Sequence, residues 1–238
     1  MIPAKHFDKL KRASNFARIS ATGNSGWNQV YIRENIVTSS DCVALYYTDA
    51  FDGSLFTAKH NFIQASDLLS CSELETMEIH TSSLRSGDER KINFASITDQ
   101  DFFQSIENVL KENKFKEAYK LPKETVLEIQ KVILKFDNKA SMVKRVVFFG
   151  NKIFFLENGK VKASIDFDIL PENAFYLFDY DYFSKILRLI KNPEIAFSIK
   201  DGDKSAIKIS NAKEFCLLAG MSSDPAKYKK KILKEKKK

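Results

Sequence analysis

The sequence predicts an α+β fold of two domains. Three observations carry this: a strand–helix–three-strand unit recurs in the second half, its strands are joined by short turns rich in Gly and Asn, and its helices are amphipathic. A chain of 238 residues is long enough for two domains of ordinary size. The composition is that of a packed body, with 44% hydrophobic and 29% charged residues and only 8 Gly and 5 Pro. Collagenous, linker-dominated and low-complexity readings are thereby excluded. Phe is abundant at 20 residues, a surplus for which core filling is the account the sequence offers.

In the first half, Pro3–Arg18 reads as a helix with Phe7, Leu10 and Ala17 near one side. Strands are expected at Gln29–Arg33, Ile36–Ser39, Cys42–Tyr47 and Ser54–Ala58. Asn61–Leu69 reads as a second, shorter helix, and Thr76–Ser82 and Lys91–Ile97 as strands. Asp99–Glu112 has helical spacing and falls at the junction between halves. The domain boundary is placed near Asn113, giving domains 1–113 and 114–221 and a basic, flexible tail 222–238.

The second half parses more cleanly. Lys116–Leu121 is extended, Pro122 suits a first helical position, and Lys123–Phe136 follows with Val126, Ile129, Val132, Ile133 and Phe136 at helical spacing. Strands Lys144–Phe149, Lys152–Leu156 and Lys160–Phe167 are joined by Gly150-Asn151 and Asn158-Gly159, residues that tolerate the positive φ of tight hairpins. The pattern then restarts. Ala174–Phe178 is a strand, Asp179 an N-cap, and Tyr180–Lys191 a helix with Phe183, Ile186, Leu187 and Ile190 on its apolar side. Asn192-Pro193 ends it, and strands Glu194–Ile199, Ser205–Ser210 and Glu214–Ala219 follow, with turns at Asp201-Gly202-Asp203 and Asn211-Ala212. Residues 116–221 thus hold βαβββ twice, a repeat of architecture without sequence identity.

Charge points to a polyanionic partner, since the formal net charge is +7. Its location qualifies that inference. Lys227–Lys238 carries eight Lys against one Glu, the whole of the excess, so the remaining 226 residues are balanced. Ser222, Ser223, Asp224 and Pro225 mark the end of the ordered body near Met221. Cys42, Cys71 and Cys216 are an odd, widely spaced set that fits a reducing compartment. The first 17 residues lack the apolar core of a secretory signal, and no run of about 18 apolar residues occurs, so the expectation is an intracellular protein with no membrane partner.

Two βαβββ units in each of two domains resemble the plan of the sliding-clamp family of DNA polymerase processivity factors, over roughly residues 1–221. The apolar strand Phe215-Cys216-Leu217-Leu218-Ala219-Gly220-Met221 is similar to the closing strand of clamps. The resemblance implies helices on one face of antiparallel sheets, no catalysis, no cofactor, and double-stranded DNA, a DNA polymerase and a clamp loader as partners. It implies a homotrimeric ring, as in clamps with two domains per subunit. It also implies a pocket for a partner peptide near Leu218 and Met221. The basic tail departs from the family, whose members tend to be acidic, and is similar instead to viral processivity subunits that hold DNA without closing a ring. A monomer is therefore the alternative state, and a viral or phage source the expectation.

Helices that line DNA need cations opposite their core stripe. Lys5, Lys9 and Arg12 fall at i, i+4 and i+7 of the first helix, and Lys185 and Arg188 are three apart in the last. The third helix offers Lys131 and Lys135, diluted by Glu124 and Glu128, and the second offers none, with Asp67 against it. Lys229, Lys230 and Lys231 in the tail would reinforce these contacts. Such contacts position a protein without reading sequence and weaken with salt. A solvated helix shows the same pattern with no partner at all.

Enzymatic chemistry finds little support. His6, His60 and His80 lack metal-ligand spacing, and no phosphate-binding glycine loop or nucleophile elbow occurs. The acidic pairs Asp166/Asp168 and Asp179/Asp181 leave a metal-dependent nuclease as one alternative, with Asp179 as a helix cap the competing explanation. A general nucleic-acid-binding α+β protein that relies on its tail is the other.

Overall fold

The computed structural model describes residues 4–18, 26–56, 60–71, 78–81, 83–85, 91–95, 104–106, 108, 115–136, 143–171, 174–198, 205–221, 226, 228–230 and 232. It divides into two compact units, Met1–Glu112 with Ala212–Cys216, and Asn113–Asn211 with Leu217–Lys238.

The first unit runs α1 (Ala4–Ser14), β1 (Gln29–Arg33), β2 (Ile36–Ser40), β3 (Ala44–Thr48), β4 (His60–Gln64), α2 (Ala65–Ser70), β5 (Glu78–His80), β6 (Ser83–Arg85) and β7 (Lys91–Ala95). Its strands order as β5-β6-β7-β4-β1-β2-β3, antiparallel throughout. Helix α1 buries Phe7, Leu10 and Ala13 against β1–β3 and α2. It stops at Ser14 rather than Arg18, where the bonding tightens from i→i−4 to i→i−3: the Phe16 amide donates to the Ala13 carbonyl at 2.8 Å and the Ala17 amide to Ser14 at 3.3 Å. The Ser39 hydroxyl also donates to the Ala13 carbonyl.

Two expectations for this unit are corrected. Ser54–Ala58 is not a strand where described, because the Asp52 carboxylate accepts from the Ser54 amide and hydroxyl and winds 53–55 into a single 3₁₀ turn. Asn61–Leu69 is not all helix. Its first four residues belong to β4, held between β1 and β7, and helix starts only at Ala65, since pairing on both edges outweighs local periodicity. Within the stretch 76–82 the expected strand is present at Glu78–His80, and it pairs with Ser83–Arg85, a strand the sequence does not announce. Of the helical stretch Asp99–Glu112, positions 104–106 and 108 are helical and the rest lie outside the described residues.

The second unit runs β8 (Phe115–Lys120), α3 (Lys123–Phe136), β9 (Lys144–Phe149), β10 (Lys152–Glu157), β11 (Lys160–Asp166), β12 (Phe175–Asp179), α4 (Tyr180–Leu189), β13 (Glu194–Ser198), β14 (Ala206–Ser210) and β15 (Glu214–Ala219). This is βαβββ twice. The leading strand of each repeat joins the sheet of the other, giving β11-β10-β9-β12 and β15-β14-β13-β8, with β15 counted here from Leu217. Both expected hairpins are two-residue turns. Gly150 has φ 54°, and Asn158 and Gly159 have φ 51° and 76°. The turn at 201–203 lies outside the described residues.

The strands KRVVFF, KIFFLE and FYLFD are continuous apolar runs rather than alternations, so both faces of their sheet are apolar. On one face Phe148 is fully buried among the rings of Phe167, Phe178, Phe183 and Phe197, the last 4.9 Å away on β13. Ring pairs in such edge-to-face geometry add about 0.5–1.5 kcal/mol each beyond area burial. Two apolar faces account for much of the phenylalanine surplus.

Candidate nucleic-acid interface

Helix α1 spends its cations on its own unit. Arg12 Nε lies 2.7 Å from Asp8 Oδ2, and its Nη1 lies 2.7 Å from Glu214 Oε1, on the segment 212–216 that flanks β3. The Tyr46 hydroxyl donates to the other Glu214 oxygen at 2.7 Å, and Thr48 Oγ1 donates to the Lys213 carbonyl. The Glu214 side chain is 9% exposed and Arg12 19%, so this is a partly buried network. Burial lowers the Arg12 pKa, and the Asp8 hydrogen bond and the Glu214 and Asp8 charges more than offset it, for a net rise. Burial, then the hydrogen bond and charge of Glu214, push the Tyr46 phenol far up. Lys9 donates to the Ala50 carbonyl, and the Lys5 side chain lies outside the described residues. The i, i+4, i+7 spacing is real, but it does not lay out a row of solvated cations.

The second unit differs. Lys131 and Lys135 on α3 and Lys185 and Arg188 on α4 are exposed. The two helices meet where the Tyr180 hydroxyl donates to the Ile133 carbonyl at 3.3 Å and its ring packs 5.0 Å from Phe136. Burial, with Asp181 nearby, pushes the Tyr180 phenol up to about 12. Buried Lys144, which the sequence reading passed over, donates to the last α3 carbonyl, Phe136 O, at 3.0 Å. Its ammonium lies 5.2 and 5.3 Å from the ring centroids of Phe136 and Tyr180. A cation at a helix C-terminus and over two rings is favourable on both counts. Exposed Leu127 and Leu134 share the α3 surface with Lys131, and Glu124 and Glu128 stay exposed there too.

Asp179 is occupied as a structural residue. Its Oδ1 accepts from the amides of Asp181 and Tyr182 at 2.9 and 3.4 Å, and its Oδ2 pairs with Arg145 at 2.9 Å. Asp166 pairs with Lys152 at 2.7 Å. Among the described residues no three His, Cys, Asp or Glu side chains gather as a metal site would need, so the nuclease alternative has no centre there.

Two further expectations are corrected. Leu218 is fully buried and has no surface to offer a peptide, because β15 turns it inward. The tail does not leave the body at Met221. Positions 228–230 are helical, and Ile232, 1% exposed, is packed with Val147, Phe154, Leu156 and Leu177, because that sheet face is apolar. Lys229 lies 4.9 Å from the ring centroid of Phe149. Lys230 is exposed, and Lys231 lies outside the described residues.

No protein-family model matches the chain, and no curated protein matches it in sequence. Solved structures do, and they define the class: the chain has the fold of the DNA polymerase sliding clamps. The clamp of Caulobacter crescentus superposes at a TM-score of 0.68 with 11% identity, over 93% of this chain and 65% of that one. A Pseudomonas aeruginosa clamp gives 0.65 at 11%, over 94% and 66%. The Helicobacter pylori beta clamp bound to a DNA ligase peptide gives 0.64 at 11%, over 93% and 64%. The chain thus spans about two thirds of the length of these bacterial clamps. Among the described residues no helix is long and apolar enough to cross a membrane.

Proposed function

We propose that this protein is a DNA polymerase processivity factor of the sliding-clamp kind. It binds duplex DNA without sequence preference, tethers a polymerase and catalyses nothing itself. The observation that carries this reading is the clamp fold extending over more than nine tenths of the chain. Lys131, Lys135, Lys185 and Arg188 are assigned the phosphate contacts, since all four are exposed on the two helices of the second unit. Lys230 and the more distal tail lysines reinforce them, while Arg12 is committed to Glu214 and contributes little. Because the H. pylori clamp carries a ligase peptide, a short segment of the polymerase is the expected tether here.

Two-domain subunits suit a ring of three, and light scattering tests that. A mass near three times 27.2 kDa, about 82 kDa, indicates a closed homotrimer, which needs a clamp loader to open it. A monomer at every concentration indicates an open factor held on DNA by charge. The reading itself is tested by primer extension with the cognate polymerase. Longer products in the presence of the protein support it, and unchanged product lengths with no DNA affinity at low salt reject it.

A further inference from the structure

The sheet β11-β10-β9-β12 has a second apolar face, away from Phe148. It carries Val147, Phe154, Leu156 and Leu177, rimmed by Phe149, Val161 and Phe175. Left open, such a face would be an adhesive patch. Described residues of the C-terminal segment, between Met221 and Ile232, sit on it. Met221 anchors the approach, its amide donating to the Leu177 carbonyl at 2.8 Å. Tyr228 and Ile232, one helical turn apart, pack onto the face, and Lys229 Nζ stands 4.9 and 5.8 Å from the ring centroids of Phe149 and Phe175.

This cover is built unlike the core it shields. Its last 12 residues carry eight Lys, and Lys227/Lys231 and Lys230/Lys234 are like charges at i, i+4, which destabilise an isolated helix. Among the described residues, the side chains of Tyr228 and Ile232 and two cation–π contacts of Lys229 hold it, where the strands beneath are hydrogen-bonded along their whole length. Its advantage is the tether, which keeps the segment at high effective concentration over the face. A weak, tethered cover on a strong apolar surface is the arrangement of an exchangeable ligand.

We propose that this face is a docking surface for a short helical segment of a partner protein, and that the C-terminal segment is its built-in competitor. The partner segment presents an aromatic and a branched aliphatic residue four positions apart, with a Lys or Arg next to the aromatic, as Tyr228, Lys229 and Ile232 do. The proposal is separate from DNA binding by α3 and α4, and its test uses no DNA. A fluorescent peptide of residues 226–238 is titrated into the full-length wild type and the full-length Y228A/I232A variant, followed by anisotropy. The variant is expected to bind the peptide at least tenfold more tightly than wild type, and to ignore a peptide bearing the same two changes. Equal binding by both proteins overturns the proposal, as does no binding by a variant that keeps its circular dichroism and melting transition. Loss of folding in the variant also overturns it, because the segment is then fixed core. Dimerisation of the wild type that the variant loses would assign the face to a second copy's tail instead.

Discussion

Helix α1 of the first unit and helices α3 and α4 of the second carry the same amphipathic signature and put it to different uses. On α1, Arg12 reaches Glu214, 202 positions away in sequence, and Lys9 caps the Ala50 carbonyl, so the cations fasten the first unit's own parts. On α3 and α4 Lys131, Lys135, Lys185 and Arg188 are exposed, and buried Lys144 and Tyr180 bond to carbonyls of α3. A cation opposite an apolar stripe therefore says that the helix is half-buried. It does not say whether the charge faces solvent or a carboxylate from elsewhere in the chain.

The largest expected effect tests that contrast directly. Reversing Lys131, Lys135, Lys185 and Arg188 to Glu should lower DNA affinity by about 10³-fold or more for unrelated sequences alike, and reduce the salt slope by about 0.9 per lost phosphate contact. Filter binding at several salt concentrations reads both. Arg12→Ala should leave DNA affinity within about twofold but cost about 2–4 kcal/mol of stability in urea unfolding, since it strands Glu214 in a partly buried site. The opposite result, weaker DNA binding at unchanged stability, would make α1 a DNA-facing helix and reverse the comparison.

A smaller effect belongs to Asp179→Ala, which removes the α4 cap and the Arg145 partner together. It should cost about 1–2 kcal/mol, leaving first-unit hydrogen exchange unchanged. The smallest is a matter of pH. Tyr180 has a folded pKa raised to about 12, so its neutral form is favoured by folding. Its contribution is complete below the unfolded value near 10 and is lost as pH rises toward 12. Tyr46, pushed up in the same direction by burial and Glu214, acts alike in the first unit. Thermal melts across pH 9–12 should show this falling limb, and Tyr180→Phe should make it shallower.

Legibility followed locality. The second unit was readable almost to the residue, because Asn158-Gly159 and Gly150 mark their turns and Asp179 its helix start through interactions spanning two or three residues. The first unit was less so. Residues 61–64 carry a helix-like spacing and become strand only because β1 and β7 flank them. Of the candidate site, the helix positions of its cations were legible, whereas the burial of Lys144 and Leu218 was not, since strand position alone does not say what covers each face.

By itself, then, the sequence determined the α+β class, the doubled βαβββ unit and the turns that punctuate it. These depend on backbone preferences and apolar periodicity within a few residues. Tertiary structure alone decided that β8 and β12 trade sheets, that Arg12 answers Glu214, and that Ile232 sits on Val147 and Phe154. Each of these pairs groups far apart in the chain. Their free energy exists only once packing has brought both partners to one place and removed the water between them.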